Sequence, residues 1–141
     1  MRRRPRAAET TGGSDERAAR TLNRPLSSFE LAEGIRRLRA EQEYVDGDRN
    51  ALTLAKVGSF RLVLVAFRAG AAFDEGDQRG TTALQVIQGG LAVRVGEDSL
   101  ELRESEIAVI GAGHPWSASA LADGAMLIHL AWPPESGPVT G

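Results

Sequence analysis

The chain has no cysteine and two histidines, His114 and His129, in 141 residues. Without cysteine there is no disulfide framework, no thiolate metal site and no cysteine nucleophile. With two histidines, a metal centre built on three imidazoles is out of reach. Long apolar runs are also missing. No stretch of about 18 apolar residues occurs, so no transmembrane helix is expected. Basic character is absent as well: the formal net charge is −2, and Lys56 is the single lysine among 17 basic residues. That balance gives no whole-molecule attraction to nucleic acid. Arg2, Arg3, Arg4 and Arg6 are followed by no apolar stretch, so the N-terminus does not read as a secretory signal. A cytoplasmic location without membrane attachment is the resulting expectation.

What is present is ordinary for a globular domain: 42% hydrophobic and 26% charged residues. A chain of this length reads as one domain and can bury roughly two thirds of its unfolded surface. Residues 1–24 carry the arginine cluster and Thr10 to Asp15, with no apolar periodicity, and read as a disordered tail. Such an arm could touch phosphate or anionic lipid, but it has no interleaved aromatics, so the solvated tail is the preferred reading. Residues 135–141 read as a frayed end. The domain between them, 25–134, opens with a helix predicted over 28–42. Ser27 and Glu30 fit a capping box after Pro25. Leu31, Ile35 and Leu38 fall at i, i+4 and i+7 on one face. Gly47 and Asp48 mark the turn that follows.

From about residue 51 the pattern becomes short strands. Arg61–Phe67 is a run of strand formers. Thr81–Ile87, Leu91–Val95 and Ile107–Ile110 follow, and Leu100 and Leu102 alternate with charged neighbours. Met126–Trp132 is the last strand, stopped by Pro133 and Pro134. Glycines punctuate them, with a loop from Gly70 to Gly80. Strands at about ten-residue spacing with glycine turns predict an antiparallel sandwich or barrel.

Over residues 28–133 this skeleton resembles the cupin superfamily. The first cupin motif, G-x5-H-x-H-x3-4-E-x6-G, finds its glycines at Gly70 and Gly89. The second, G-x5-P-x-G-x2-H-x3-N, matches at Gly113 within Glu104 to Trp116. The resemblance implies an all-β fold, a cupin-like antiparallel β-barrel of jelly-roll type preceded by one N-terminal helix. It also implies a metal held by three histidines and a glutamate. This chain departs from the pattern at each of those positions. Gly76 and Gln78 stand where the first two histidines should be, Thr82 where the glutamate should be, and Trp116 where the last histidine should be. Glycine offers no donor atom. Hydroxyl and amide oxygens are weak neutral donors, and an indole N–H cannot bind a cation. Iron, manganese, nickel and zinc need imidazole, thiolate or carboxylate. No metal and no cofactor are therefore expected.

A displaced site could use His114, two residues before Trp116, with Glu75, Asp77 or an inward-facing His129; no ligand spacing supports it. Trp116 in the barrel centre is either a stacking platform or a plug, and the plug is preferred because small barrels fill their interiors with side chains. By alternation Gln78, Thr82, Leu84 and Val86 share its face. These five residues and His114 are the candidate ligand-binding set, with no catalytic residue assigned. No Ser/His/Asp arrangement is evident, and Gly111-Ala112-Gly113 lacks the context and lysine of a phosphate loop. The expected function is a metal-free cupin-like protein that binds a small molecule or is structural, without catalysis. The alternative is a degenerate enzyme working around His114 and Asp77. The expected partners are a small-molecule ligand and a second copy of the chain, because Ala125 to Trp132 is apolar on both faces. Nucleic acid is not expected.

Overall fold

The computed structural model of the chain describes residues 24–75 and 79–133. The tail expected over 1–24, Arg24 apart, and the end expected to fray from 135 lie outside the described residues. The apolar stripe of the first segment forms a helix, α1 (Leu31–Ala40), with Ile35 and Leu38 buried. The capping box expected of Ser27 and Glu30 does not form. Glu30 is itself the N-cap, in extended conformation and without a side-chain cap bond. A cap is worth about 1 kcal/mol; the burial of Ile35 and Leu38 outweighs it, and the helix starts where its stripe starts. The helix is also shorter than the predicted 28–42. Glu41 is extended (φ −85°, ψ 156°), and a second short helix, α2 (Gln42–Asp46), follows it. Buried Asn50 secures this break: its Nδ2 donates to the Leu38 carbonyl (3.0 Å) and to Glu41 Oε1 (2.9 Å).

Nine strands follow among the described residues: β1 (Arg49–Val57), β2 (Phe60–Phe67), β3 (Ala72–Glu75), β4 (Thr81–Gln88), β5 (Leu91–Val95), β6 (Asp98–Leu102), β7 (Ile107–Ile110), β8 (Trp116–Ala120) and β9 (Gly124–Ala131). They form two antiparallel sheets, ordered β1-β2-β9-β4-β7 and β3-β8-β5-β6. The two sheets pack face to face and do not close on each other by hydrogen bonds. The architecture is a jelly-roll sandwich with a helical segment on its outer side.

Two apolar layers explain the sequence pattern. The inner layer, between the sheets, takes Val65 and Phe67 of β2, Leu84 and Val86 of β4, Leu91 and Val93 of β5, and Met126 of β9. The outer layer lies between α1, α2 and the five-stranded sheet. It takes Ile35, Leu38 and Tyr44 from the helices and Leu52, Leu64, Ala66, Ala125 and Leu127 from the strands. β2 and β9 thus have both faces covered, which is why Leu62 to Phe67 and Ala125 to Leu130 read as nearly continuous apolar runs. β5 has one buried face and alternates. The β4–β5 turn depends on Gly89. Its φ is +81°, and a Cβ there would lie 2.6 Å from the Asp123 carbonyl oxygen. No helix among the described residues is long and apolar enough to cross a membrane.

Candidate functional site

Residue 61 breaks the apolar run of β2 with a charge at a meaningful register. Arg61 alternates with Val63, Val65 and Phe67, the positions that face the opposite sheet. It pairs with Leu130 on β9, which alternates in the same way with Ile128 and Met126. Where these positions end the inner layer is not filled. A cavity of about 370 Å³ opens between the sheets. The five-stranded sheet lines it with Arg49, Arg61, Ile128, Leu130 and, just beyond β9, Trp132. The four-stranded sheet contributes Phe73, Asp74 and Trp116. The two edge strands meet here: the guanidinium of Arg49 on β1 lies 4.3 Å from the ring centre of Phe73 on β3.

The polar groups of the cavity are unequally satisfied. Arg49 holds the exposed Asp48 in two contacts, at 2.9 and 3.3 Å, and this hydrogen bonding keeps the Asp48 carboxyl below the usual carboxylate range. Arg61 lies over the Trp132 ring at 5.0 Å. Its Nε is buried without a hydrogen-bond partner, and so is Trp116 Nε1. A buried donor left unpaired costs about 1–3 kcal/mol, so most folds avoid it. Among the described residues three side-chain atoms are in this state, and two of them belong to this one cavity. The third is Arg39 Nε.

The candidate residues drawn from the sequence are only partly brought together. Trp116, at 5% exposure, belongs to the packed inner layer and also lines the cavity. Leu84 and Val86 share the inner layer with Trp116, and Thr82 is fully buried on the same side of β4. All three belong to packed core and are not among the cavity-lining residues. Gly76, Asp77 and Gln78 lie outside the described residues. His114 does not share the face of Trp116. Strand β8 begins only at Trp116, so alternation does not extend back to His114, which is exposed in the preceding loop. His129 does not face inward either. It stands with Leu62 and Leu127 on the outer side of the five-stranded sheet, and its Nε2 lies 3.1 Å from Gln85 Oε1. Partial burial pushes its pKa below the ordinary 6.5.

The described residues do not fit the metal that the fold implies. By the motif resemblance Thr82 and Trp116 stand at two of the four ligand positions, and neither His114 nor His129 points between the sheets. Among the described residues no group of three or more His, Cys, Asp or Glu could hold a metal ion. The sequence reading missed Arg49, Arg61, Phe73 and Trp132. One signal was available: an arginine at an inward position of an otherwise apolar strand.

No protein-family model matches the chain, and none of the curated proteins does. Solved structures do. A cupin superfamily protein from Desulfitobacterium hafniense superposes with a TM-score of 0.62 at 14% identity, over 80% of this chain and 96% of that one. KdgF from Halomonas sp. gives 0.56 at 20% identity, over 60% and 80%. A salicylate 1,2-dioxygenase variant from Pseudoaminobacter salicylatoxidans gives 0.68 at 18% identity, over 79% of this chain and 36% of the enzyme. With the two-sheet topology described above, these likenesses establish that the protein has the fold of the cupin superfamily.

Proposed function

We propose that this protein is a metal-free cupin-fold binding protein that holds a small molecule between its sheets and does not catalyse a reaction on it. The open cavity carries this reading. Its volume falls in the range of small-molecule sites, roughly 300–1,000 Å³. Its walls are mainly apolar, with a few polar groups, which is the usual composition of such sites. A purely structural sandwich would fill this space with side chains.

The absence of catalysis is argued from the ionisable groups that line the cavity. Proton transfer or covalent chemistry needs a base or nucleophile oriented by a partner. Two of the three groups are arginines, which do not lose their protons. The third, Asp74, is exposed, and its carboxylate holds no hydrogen bond among the described residues. The alternative built on His114 has little support, because that side chain is exposed and off the cavity wall.

Elemental analysis of purified protein, together with mass spectrometry under native conditions, tests both parts. The expected result is no stoichiometric transition metal, with a retained organic mass or a gain in mass when small organic molecules are added. Tightly held iron, nickel or zinc at protein stoichiometry would overturn the reading.

A further inference from the structure

Resting on the reading of the cavity as a binding site, we infer that its ligand is a small organic anion with a flat apolar body. A carboxylate is the simplest case, and Arg61 is its anchor. Arg61 is half-buried at an inward position of β2. A charge withdrawn from water is normally compensated by an opposite charge or by hydrogen bonds. Arg61 has neither among the described residues. Its guanidinium lies against the face of Trp132. The other cation lining the cavity, Arg49, is paired with Asp48. Arg68, farther along β2's exit, donates to the Tyr44 carbonyl. Asp74 shares the cavity with Arg61, yet no ion pair joins them. Among the described residues the guanidinium fork of Arg61 is therefore unclaimed, and a planar carboxylate matches it in two parallel hydrogen bonds.

The rest of the site selects the same class. Trp116 Nε1 is donor-only, 95% of its residue is out of solvent by the 5% exposure, and it has no acceptor. Arg61 Nε and Trp116 Nε1 are both sealed, so first contact falls to the two terminal nitrogens of the Arg61 fork. Phe73, Ile128, Leu130 and Trp132 supply the surface for an apolar or ring-shaped body. A cationic ligand would face two guanidinium groups, against Asp74 as the one carboxylate lining the cavity among the described residues.

Both tryptophans of the chain, Trp116 and Trp132, line the cavity, so their fluorescence reports its occupancy. The full chain is titrated with benzoate, with its neutral isostere benzamide and with benzylamine. Saturable binding of benzoate is expected, at least about tenfold tighter than benzamide, since a hydrogen-bonded charge is worth that much. Benzylamine should be the weakest. Arg61→Gln should erase the preference for benzoate and leave benzamide unaffected. Arg61→Lys, which keeps the charge without the fork, should retain part of it, and both variants should unfold as cooperatively as the natural chain. If benzamide binds as well as benzoate, or if the preference survives in folded Arg61→Gln, the anion inference is overturned and the cavity reading stands. If none of the three probes gives a saturable response, both are overturned.

Discussion

His129 shows what a single side chain contributes when it sits on the wrong wall for chemistry. It stands on the outer face of the five-stranded sheet beside Leu62, with Gln85 as its hydrogen-bonding partner at 3.1 Å. Burial without a negative partner disfavours the imidazolium, so its pKa is lowered from 6.5. The consequence for stability has a definite sign. Above pH 6.5 the ring is neutral in both folded and unfolded chains. Below it the unfolded chain takes up a proton that the folded chain still refuses, so stability drops with pH until the lowered folded value is passed. The natural protein should lose more stability than His129→Gln on acidification through this window, measured by urea unfolding. Parallel curves for the two would show that His129 does not titrate differently on folding. The chemistry of the site was legible here in one direction only. Which positions lack metal donors can be read from Gly76, Gln78, Thr82 and Trp116. Which side chains bound the cavity cannot, because Arg49, Phe73 and Trp132 come from three separate segments that only the packing of edge strands brings together.

Among the elements, α1 has the clearest energetic role. Its stripe covers the outer face of the sheet, and Leu38 is 1% exposed against Leu64 and Leu127. Leu38→Ala should cost about 2–5 kcal/mol through lost transfer energy and the void left behind. Val45→Ala on α2, at 53% exposure, should change stability by no more than about 0.5 kcal/mol. Urea midpoints compared at equal slope check both. Two equal shifts would mean that the helices do not pack as described. The strands were legible where their own composition is decisive. Leu91–Val95 and Ile107–Ile110 have the bounds read from sequence, and β2 and β4 extend by one residue. The strands β3 and β8 were harder to read. Ala72–Glu75 is four residues inside a glycine-bounded stretch, and Trp116–Ala120 is alanine and serine after its first residue, with little strand preference of its own. Ladder pairing defines them: β8 hydrogen-bonds β3 on one side and β5 on the other.

At the scale of the whole molecule, the two layers change the argument about assembly. The second apolar face of Ala125 to Trp132 suggested a partner copy, but α1 and α2 cover the buried part of it, where Ala125 and Leu127 lie. That part of the face is covered within the chain. The large apolar side chains left open on the five-stranded sheet are Ile107 at 50% and Val109 at 68% exposure on its β7 edge, and Val57 at 48% and Phe60 at 38% at the β1–β2 turn. Ile35, Leu38 and Tyr44 are each nearly fully buried by the docking of α1 and α2. At about 1.5–3 kcal/mol for each large apolar side chain, they supply roughly 5–9 kcal/mol, comparable to the whole stability of an ordinary domain, about 5–15 kcal/mol. A chain beginning after Gly47 should therefore not fold to the native sandwich. It exposes Leu52, Leu64, Ala66 and Leu127 as one contiguous patch, which favours association. Loss of near-ultraviolet circular dichroism, binding of a hydrophobic dye and high-order species in sedimentation are the expected outcome. A truncated chain that stays monomeric, binds no dye and unfolds cooperatively would show that the two sheets are sufficient alone, and that the outer layer adds little to what the inner layer secures.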